Sequence, residues 1–270
     1  MGAASGAGTS RGHARYELPM AGEGREALAG LLWAAGAVGV WERPDRLVAW
    51  FLHREASVPA GGTWSDEPDR DWQAEWKATI RPVRAGRIVV VPSWLASEHR
   101  PADDELTLVI DPGRAFGTGH HPTTVLCLEA LDGLDLAGRT VADVGCGTGV
   151  LAIAAARRGA EAVAVDVDPE AVGVARANAA RNDAAVEVHE GGVEVLTGPV
   201  DIVVANLVTD VIVGIADRLA AATRDLIIVS GIASERGPEV ETALTAVGVE
   251  VRDVRTRDGW VAVTGRRRRG

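Results

Sequence analysis

The chain has few of the residues that build cross-linked or membrane-embedded proteins. Among 270 residues there are two cysteines (Cys127 and Cys146), two phenylalanines, one tyrosine and one lysine. Two cysteines make no disulfide framework, and neither lies in a C-x-x-C zinc pattern. No run of about 18 uncharged apolar residues occurs, which argues against a membrane-spanning helix. We therefore expect a protein of the reducing cytoplasm.

The two ends of the chain differ in composition from the rest. Residues 1–15 are small and polar and have no apolar stretch of the kind found in signal peptides, so we expect a disordered tail there. Residues 266–270, RRRRG, are expected to form a short, solvated basic tail.

Basic residues are outnumbered, and the imbalance lies in one part of the chain. Residues 1–100 carry 12 basic and 12 acidic side chains, whereas residues 101–270 carry 16 basic and 26 acidic ones. A duplex nucleic-acid binder needs a basic face, so we expect no direct nucleic-acid partner. The acidic surplus is compatible with a basic protein partner.

Tryptophan divides the chain into two units. Seven of the eight tryptophans lie in the first 94 residues, whereas glycine and alanine dominate beyond them. The Pro- and Gly-rich stretch from Pro59 to Arg70 is typical of a linker. Before it, the pattern predicts a strand at 16–20, a helix at 23–35 and a strand at 46–52. So small a unit buries little by itself, so it must pack on the second unit or bind something.

The second unit alternates short apolar strands with helices. Strands are predicted at 140–144, 162–165, 186–189, 201–205 and 225–229, helices at 123–131, 150–158, 169–182, 209–222 and 238–246, and a final hairpin at 249–255 and 260–265. This alternation indicates an α/β fold, in which helices cover both faces of a parallel sheet.

A glycine-rich turn joins the strand at 140–144 to the following helix. The run from Asp143 to Gly149 is D-V-G-C-G-T-G, in which Gly145, Gly147 and Gly149 allow a tight turn and a close approach to a ligand. In a nicotinamide-binding G-x-G-x-x-G loop the third glycine would stand at Val150, so that cofactor is disfavoured. A tight turn without a ligand is the alternative interpretation.

Two polar residues come directly after predicted strands. Asp166 ends its strand at the sheet edge where an adenosine ribose needs a hydrogen-bond acceptor. Because Asp168 and Pro169 supply the cap and first turn of the next helix, Asp166 is left for a ligand. Asn206 follows the strand at 201–205 and offers both a donor and an acceptor. Its alternative role is to cap the next helix.

A glycine- and proline-rich loop precedes the sheet. Residues 111–124 (DPGRAFGTGHHPTT) contain three glycines and two prolines, and a helix is predicted to begin near Thr124. A zinc site made of His120, His121 and Cys127 is excluded, because adjacent histidines do not readily share one metal ion.

These segments together resemble the ribosomal protein methyltransferase PrmA family. The residues that carry the resemblance are 111–124, 143–149, 166–169 and 205–207, supported by 31–40, 71–77, 91–94, 230–232 and 259–260. The resemblance implies a small amino-terminal α+β, ferredoxin-like recognition domain and a seven-stranded Rossmann-like class I methyltransferase domain. We assign residues 16–58 to the first domain, 59–100 to a linker region and 101–265 to the second.

The resemblance also implies a reaction and a site. The family uses S-adenosylmethionine to methylate lysine and/or amino-terminal amines of large-subunit ribosomal protein eleven, and we expect a monomer. The expected cofactor-binding residues are Thr124, Asp143, Gly145, Gly147, Gly149, Asp166 and Asn206. The loop at 111–124 is expected to lie over the cofactor, with Phe116 shielding the reacting centre from water. No side chain stands out as a catalytic base. Asn206 and its neighbouring backbone carbonyl are expected to orient the amine.

Three other functions remain open. One is a lysine methyltransferase acting on the electron-transfer flavoprotein beta subunit, although the tryptophan-rich first unit favours the ribosomal substrate. Nucleic-acid base methyltransferases use Asn-Pro-Pro-aromatic, whereas residues 206–209 here are N-L-V-T. A non-catalytic adaptor would have lost the glycine turn or Asp166, and both are present.

Overall fold

The chain divides into two compact units, residues 1–79 and 80–270. The computed structural model describes residues 13–19, 28, 31–32, 35–37, 39–43, 45–51, 53–67, 80–111, 119 and 121–268. Most of the predicted disordered tail, residues 1–12, lies outside this set, and from His13 onward the chain is already a strand.

Four antiparallel strands form the sheet of the first unit. They are β1 (His13–Pro19), β2 (Gly39–Arg43), β3 (Arg46–Phe51) and β4 (Thr63–Glu67), in the order β2-β3-β1-β4. Leu28, Leu31 and Leu32, between β1 and β2, are helical as predicted. The sequence pattern did not predict β2 or β4.

One face of this sheet carries the unit's core. Tyr16 pairs with Ala49 of β3 and with Trp64 of β4, so the three side chains lie on the same face. This face is buried together with Leu32 and Phe51. The Tyr16 and Trp64 rings lie 4.8 Å apart, and the burial of these large rings stabilises the small sheet.

The connection from β3 to β4 departs from the predicted topology. The strand order is compatible with a ferredoxin-like β-α-β-β-α-β unit, but the described residues 53–62 contain no helix where that unit has its second one. Instead, the Tyr16 hydroxyl donates to the Pro59 carbonyl and accepts the Gly62 N–H at 2.9 Å. A Cβ at Gly62 would lie 2.2 Å from the Tyr16 ring, so this contact requires glycine.

Part of the segment expected to be a linker, residues 59–100, forms strands, and the chain divides into its two compact units after residue 79. β4 pairs with β1 of the first sheet, while β5 (Val83–Ala85) and β6 (Ile88–Pro92) form a three-stranded sheet with β7 (Leu106–Ile110). The Pro- and Gly-rich stretch marks the turn before β4 rather than the end of the unit. The motif at 71–77 lies outside the described residues.

The second unit contains the predicted seven-stranded sheet. Its strands are β8 (Thr140–Val144), β9 (Glu161–Asp166), β10 (Val186–Glu190), β11 (Val200–Asn206), β12 (Thr223–Ala233), β13 (Val249–Arg257) and β14 (Trp260–Arg267). The order is β10-β9-β8-β11-β12-β14-β13, with β14 antiparallel to both neighbours and the other pairs parallel. This confirms the Rossmann-like methyltransferase fold.

Helices cover both faces of this sheet. They are α1 (Pro122–Asp132), α2 (Val150–Arg157), α3 (Pro169–Arg181), α4 (Thr209–Gly214), α5 (Ala216–Ala221) and α6 (Gly237–Ala246), with 3-10 turns at Ser93–Leu95, Val193–Val195 and Ser234–Arg236. Along β11, Ile202 and Val204 enter one apolar core, and Val203 and Ala205 enter the other. Among the described residues, no helix is long and apolar enough to cross a membrane.

Two sequence expectations for this unit are corrected. The helix predicted at 209–222 is two helices, because the backbone at Ile215 (φ −121°, ψ 13°) leaves the helical region. The basic tail predicted from Arg266 begins later. Arg266 pairs with Leu226 in the sheet, and its Nε lies 3.0 Å from Asp225 Oδ1.

Two asparagines attach the three-stranded sheet to α3. The Asn182 side chain accepts the Val109 N–H at 2.7 Å and donates to the Val109 carbonyl at 2.8 Å. The Asn178 side chain makes the same two contacts with Asp111, both at 2.9 Å, and also donates to the Thr148 carbonyl at 3.1 Å. These amides therefore supply β7 with the hydrogen bonds that a neighbouring strand would otherwise make.

The position of the boundary is testable by truncation. We expect a chain of residues 80–270 to unfold cooperatively, because its two sheets keep all their strands. A chain of residues 61–270 is the control: it retains β4 without β1, and we expect its unpaired strand to promote aggregation. Thermal unfolding by circular dichroism and light scattering compare the two. If the boundary lay at residues 58–60 instead, the chain of residues 61–270 would be the more soluble of the two.

Candidate active site

A large cavity lies at the carboxyl ends of β8, β9, β11 and β12. Its volume is about 740 Å³, within the range of small-molecule sites. The predicted residues that line it are Gly145, Gly147, Asp166 and Asn206. Others on its wall include His121, Thr123, Val167, Asp168, Gly191, Gly192, Glu194, Leu207, Val208, Val211, Gly231 and Trp260. Ligands of open α/β sheets bind at this edge.

The glycine turn is held in place by the end of β9. Gly145, Gly147 and Gly149 have φ of 73°, 52° and 78°, a region that other residues rarely adopt. The N–H groups of Gly145 and Cys146 both donate to the Val165 carbonyl, at 2.9 and 3.0 Å. The Gly147 N–H donates to Asp166 Oδ2 at 2.8 Å. The turn therefore has a defined shape that brings its backbone to the cavity.

Asp166 has a structural role as well as a place on the cavity wall. Its carboxylate accepts the Gly147 N–H and, at 3.0 Å, the Asp168 N–H, which corrects the expectation that it is left entirely for a ligand. An ionised carboxylate has about four acceptor positions, so two remain for ligand hydroxyls. Asp168 caps α3 as predicted, through the Glu170 N–H at 2.8 Å.

Asn206 and Thr124 form one hydrogen-bonded pair. Asn206 Nδ2 donates to Thr124 Oγ1 at 3.2 Å, which leaves the amide oxygen Oδ1 as an acceptor with no partner among the described residues. Asn206 is not the cap of α4, because the N-cap position is Val208. Thr124 is buried in α1 beside the cavity rather than on its wall, where the neighbouring Thr123 lies.

Asp143 and Gly149 do not line the cavity. Asp143 is fully buried, where Oδ2 accepts the Ala152 N–H at 3.1 Å and Oδ1 has no partner among the described residues. Burial raises the pKa of Asp143 to about 7; the Ala152 N–H opposes this and the negative Asp166 adds to it. Burial also raises the pKa of the Cys127 and Cys146 thiols.

An aromatic wall was missed from the sequence. The rings of His121 and Trp260 meet edge to face with centroids 4.6 Å apart, and both line the cavity. His121 caps α1, and burial lowers its pKa, so the imidazole is neutral near pH 7. Trp260 is the one tryptophan beyond residue 94, and that isolation was the available signal. Phe116 and His120 lie outside the described residues.

Comparison with known proteins places these features in a family. The family described as ribosomal protein L11 methyltransferase (PrmA) matches residues 51–268. The relative of that name from Deinococcus radiodurans is 42% identical, covering 93% of this chain and 98% of that protein. The one from Symbiobacterium thermophilum is 45% identical, covering 76% and 68%. The crystal structure of a ribosomal protein L11 methylase from Lactobacillus delbrueckii subsp. bulgaricus is similar with a TM-score of 0.65 and 27% identity, covering 70% of this chain and 100% of that one.

The fold and the cavity, together with these matches, define a class I methyltransferase that uses S-adenosylmethionine. The chain belongs to the ribosomal protein L11 methyltransferase (PrmA) family. The family and the cofactor implied by the sequence motifs are thereby confirmed.

Asp166 and Asp168 allow a matched test of the site. We expect Asp166→Ala to weaken S-adenosylmethionine binding by about 1–3 kcal/mol, the scale for polar groups left unpaired. The comparison variant Asp168→Ala removes a helix cap at a residue that also lines the cavity, so it should cost about 1 kcal/mol of folding stability and weaken affinity less than Asp166→Ala does. Calorimetric titration and thermal unfolding separate the two effects. Unchanged affinity in a folded Asp166→Ala protein would show that this carboxylate does not bind the cofactor.

The buried Asp143 makes stability depend on pH. Its pKa is about 7 in the folded protein, against an ordinary value of 3.8 when the side chain is in water, so the folded state binds more protons between these values. The stability of the native protein should therefore fall, relative to Asp143→Asn, as pH rises from 4 to 7, by up to about 1.4 kcal/mol per pH unit. Urea unfolding of both proteins across this range measures the difference. A difference that does not vary with pH would mean that Asp143 is ionised in the fold.

Proposed function

We propose that this protein transfers methyl groups from S-adenosylmethionine to lysine and/or amino-terminal amines of ribosomal protein L11. The observation that carries the proposal is that Asp166 and Asn206, at the ends of β9 and β11, line the same cavity. One is suited to a ribose and the other to an amine. The shared name of the relatives supports the substrate.

The residues on the cavity wall fit the cofactor. The Asp166 carboxylate would accept the ribose hydroxyls, and Gly145 and Gly147 present backbone without side chains beside it. Thr124 would act through its hydrogen bond to Asn206, and Asp143 and Gly149 by supporting the turn from behind. When bound, S-adenosylmethionine would supply a methyl group on a sulfonium, which a nitrogen lone pair would attack in line as the C–S bond breaks and the thioether leaves.

Two oxygen acceptors stand next to each other in the chain where the amine would lie. They are Asn206 Oδ1 and the Leu207 carbonyl, and neither has a hydrogen-bond partner among the described residues. A neutral primary amine has two N–H groups and one lone pair. If the two acceptors take the two N–H groups, the lone pair is left pointing to the methyl group, which is how orientation lowers the barrier.

The amine must lose a proton before it reacts, and the chain assists by burial. The pKa of a lysine amine in water is about 10.4, and an apolar pocket and a nearby positive charge lower it. His121 does not fit the role of base. Its Nδ1 lies 2.7 Å from Thr123 Oγ1 and accepts the Thr123 N–H at 3.4 Å, so that nitrogen is already engaged in capping α1. We therefore assign no catalytic base.

The first unit is suited to substrate recognition. Trp41 is half exposed, its ring lies 6.5 Å from that of Trp50, and the Arg43 guanidinium sits 3.8 Å from the Trp41 ring centroid. Aromatic and arginine side chains of this kind are enriched at protein interfaces. The acidic surplus of residues 101–270 would attract a basic substrate such as a ribosomal protein.

A labelling experiment tests both parts of the proposal. Full-length protein and the chain of residues 80–270 are incubated with methyl-labelled S-adenosylmethionine and a mixture of large-subunit ribosomal proteins. We expect label on L11 with the full-length protein only, and equal cofactor affinity for both proteins by calorimetry. Equal L11 labelling by both would place substrate recognition outside the first unit.

The other functions predict different results in the same assay. Label on the electron-transfer flavoprotein beta subunit, added as a competitor, would favour that lysine methyltransferase. Cofactor binding without label on any protein would favour the non-catalytic adaptor. Mass spectrometry of labelled L11 then distinguishes lysine from amino-terminal methylation.

A further inference from the structure

The turn after β11 is held between two glycines. On one side a Cβ at Gly231 would lie 2.1 Å from the Leu207 oxygen and 2.7 Å from its carbonyl carbon. On the other side a Cβ at Gly145 would lie 2.3 Å from Leu207 Cδ2. Both distances are shorter than real Cβ contacts. At Gly145 the end of the Leu207 side chain could shift aside, whereas at Gly231 the contact is with backbone, so the backbone of Leu207 occupies space that only glycine leaves open.

The backbone at Gly231 is shaped for this contact. Its φ is 90°, and the register between β12 and β14 shifts between Val229 and Ile232, as at a β-bulge. Two hydrogen bonds fix the preceding residue. The Leu207 N–H donates to the Ser230 carbonyl at 2.9 Å, and Ser230 Oγ donates to the Val261 carbonyl at 2.8 Å. The bulge therefore sets the position of the whole Leu207 peptide group.

We propose that Gly231 is a positioning residue, which places the Leu207 carbonyl so that it and Asn206 Oδ1 hold the two N–H groups of the substrate amine. This inference rests on the proposed methyl transfer to an amine and adds a residue that acts through another. Gly231 touches the turn only by van der Waals contact, so it contributes neither a charge nor a proton to the reaction. Its role is to leave room for the Leu207 carbonyl, which a side chain at this position would displace.

The chemistry of successive methylations gives this role a distinctive consequence. An unmethylated amine has two N–H groups and uses both acceptors, whereas a monomethylated amine has one N–H and needs only Asn206 Oδ1. Displacing the Leu207 carbonyl should therefore slow the first transfer more than the second. A general loss of folding or of cofactor binding would slow both transfers equally.

The test compares Gly231→Ala with Gly248→Ala, using full-length protein, S-adenosylmethionine and ribosomal protein L11. Gly248 has nearly the same φ, 82°, but a Cβ there meets no atom within 4 Å, so it controls for backbone strain. For Gly231→Ala we expect kcat of the first transfer to fall about 100-fold, the cost of a displacement near 1 Å, with cofactor affinity within about threefold of native. Gly248→Ala should keep the native kcat.

A second variant covers the case in which Gly231→Ala does not fold. Leu207→Ala introduces no clash but removes the side chain that packs against Gly145. The turn after β11 therefore loses its contact on the side opposite Gly231. Its first transfer should slow by about tenfold or more, and again more than its second. Single-turnover kinetics with mass detection of mono- and dimethylated product measure both steps.

The outcomes separate this inference from the proposed function. Native protein that does not methylate L11 would overturn the proposed function itself. Active native protein with a native first-transfer rate in folded Gly231→Ala, or in Leu207→Ala, would overturn the positioning role alone. Equal slowing of both transfers, or a parallel loss of cofactor affinity, would also overturn it.

Discussion

The site depends on the tie between the glycine turn and the last two residues of β9. Three donors of the turn end on two neighbouring residues, Val165 and Asp166. Ordering a left-handed backbone costs conformational entropy. The end of β9 offsets this cost because it accepts hydrogen bonds from these three N–H groups of the turn. The same carboxylate then stands on the cavity wall. The Asp166 side chain thus contributes both to the shape of the turn and to the wall of the binding cavity.

A second tie connects the turn to the small three-stranded sheet. Asn178 is fully buried and hydrogen-bonded to Asp111 at the end of β7 and to Thr148 in the turn. Asp111 is also the first residue of the glycine- and proline-rich segment. The start of that segment and the glycine turn are therefore anchored to the same amide group, although 37 positions separate Asp111 from Thr148 in the sequence.

Much of the second unit followed from sequence because its strands are buried on both faces. Continuous apolar runs such as 201–205 mark such strands clearly, and β8 has the predicted bounds. The strands β5, β6 and β7 were not predicted, and β5, with three residues, is too short to show a periodicity. β4 was hidden because Trp64 lies within a stretch of turn-forming residues, and only its pairing with Tyr16 makes it a strand.

The site was predictable where one residue both ended a strand and carried a polar group, as at Asp166 and Asn206. It was not predictable where the local structure depends on the absence of a side chain or on contacts distant in sequence. Gly231 gives no local indication that a carbonyl lies against it. Nor does the sequence indicate that Asp143 faces the interior, because a carboxylate beside glycines is equally typical of an exposed turn.

The two cysteines give the protein an internal reporter. Cys146 lies inside the glycine turn and Cys127 in α1, and both are buried with thiols that remain protonated. Only a thiolate exposed to solvent reacts with a disulfide or an alkylating reagent. The labelling rate of Cys146 therefore reports how often the glycine turn opens. The labelling rate of Cys127 reports how often α1 separates from the sheet. The chain thus carries a separate probe for each motion, with no other thiol to interfere.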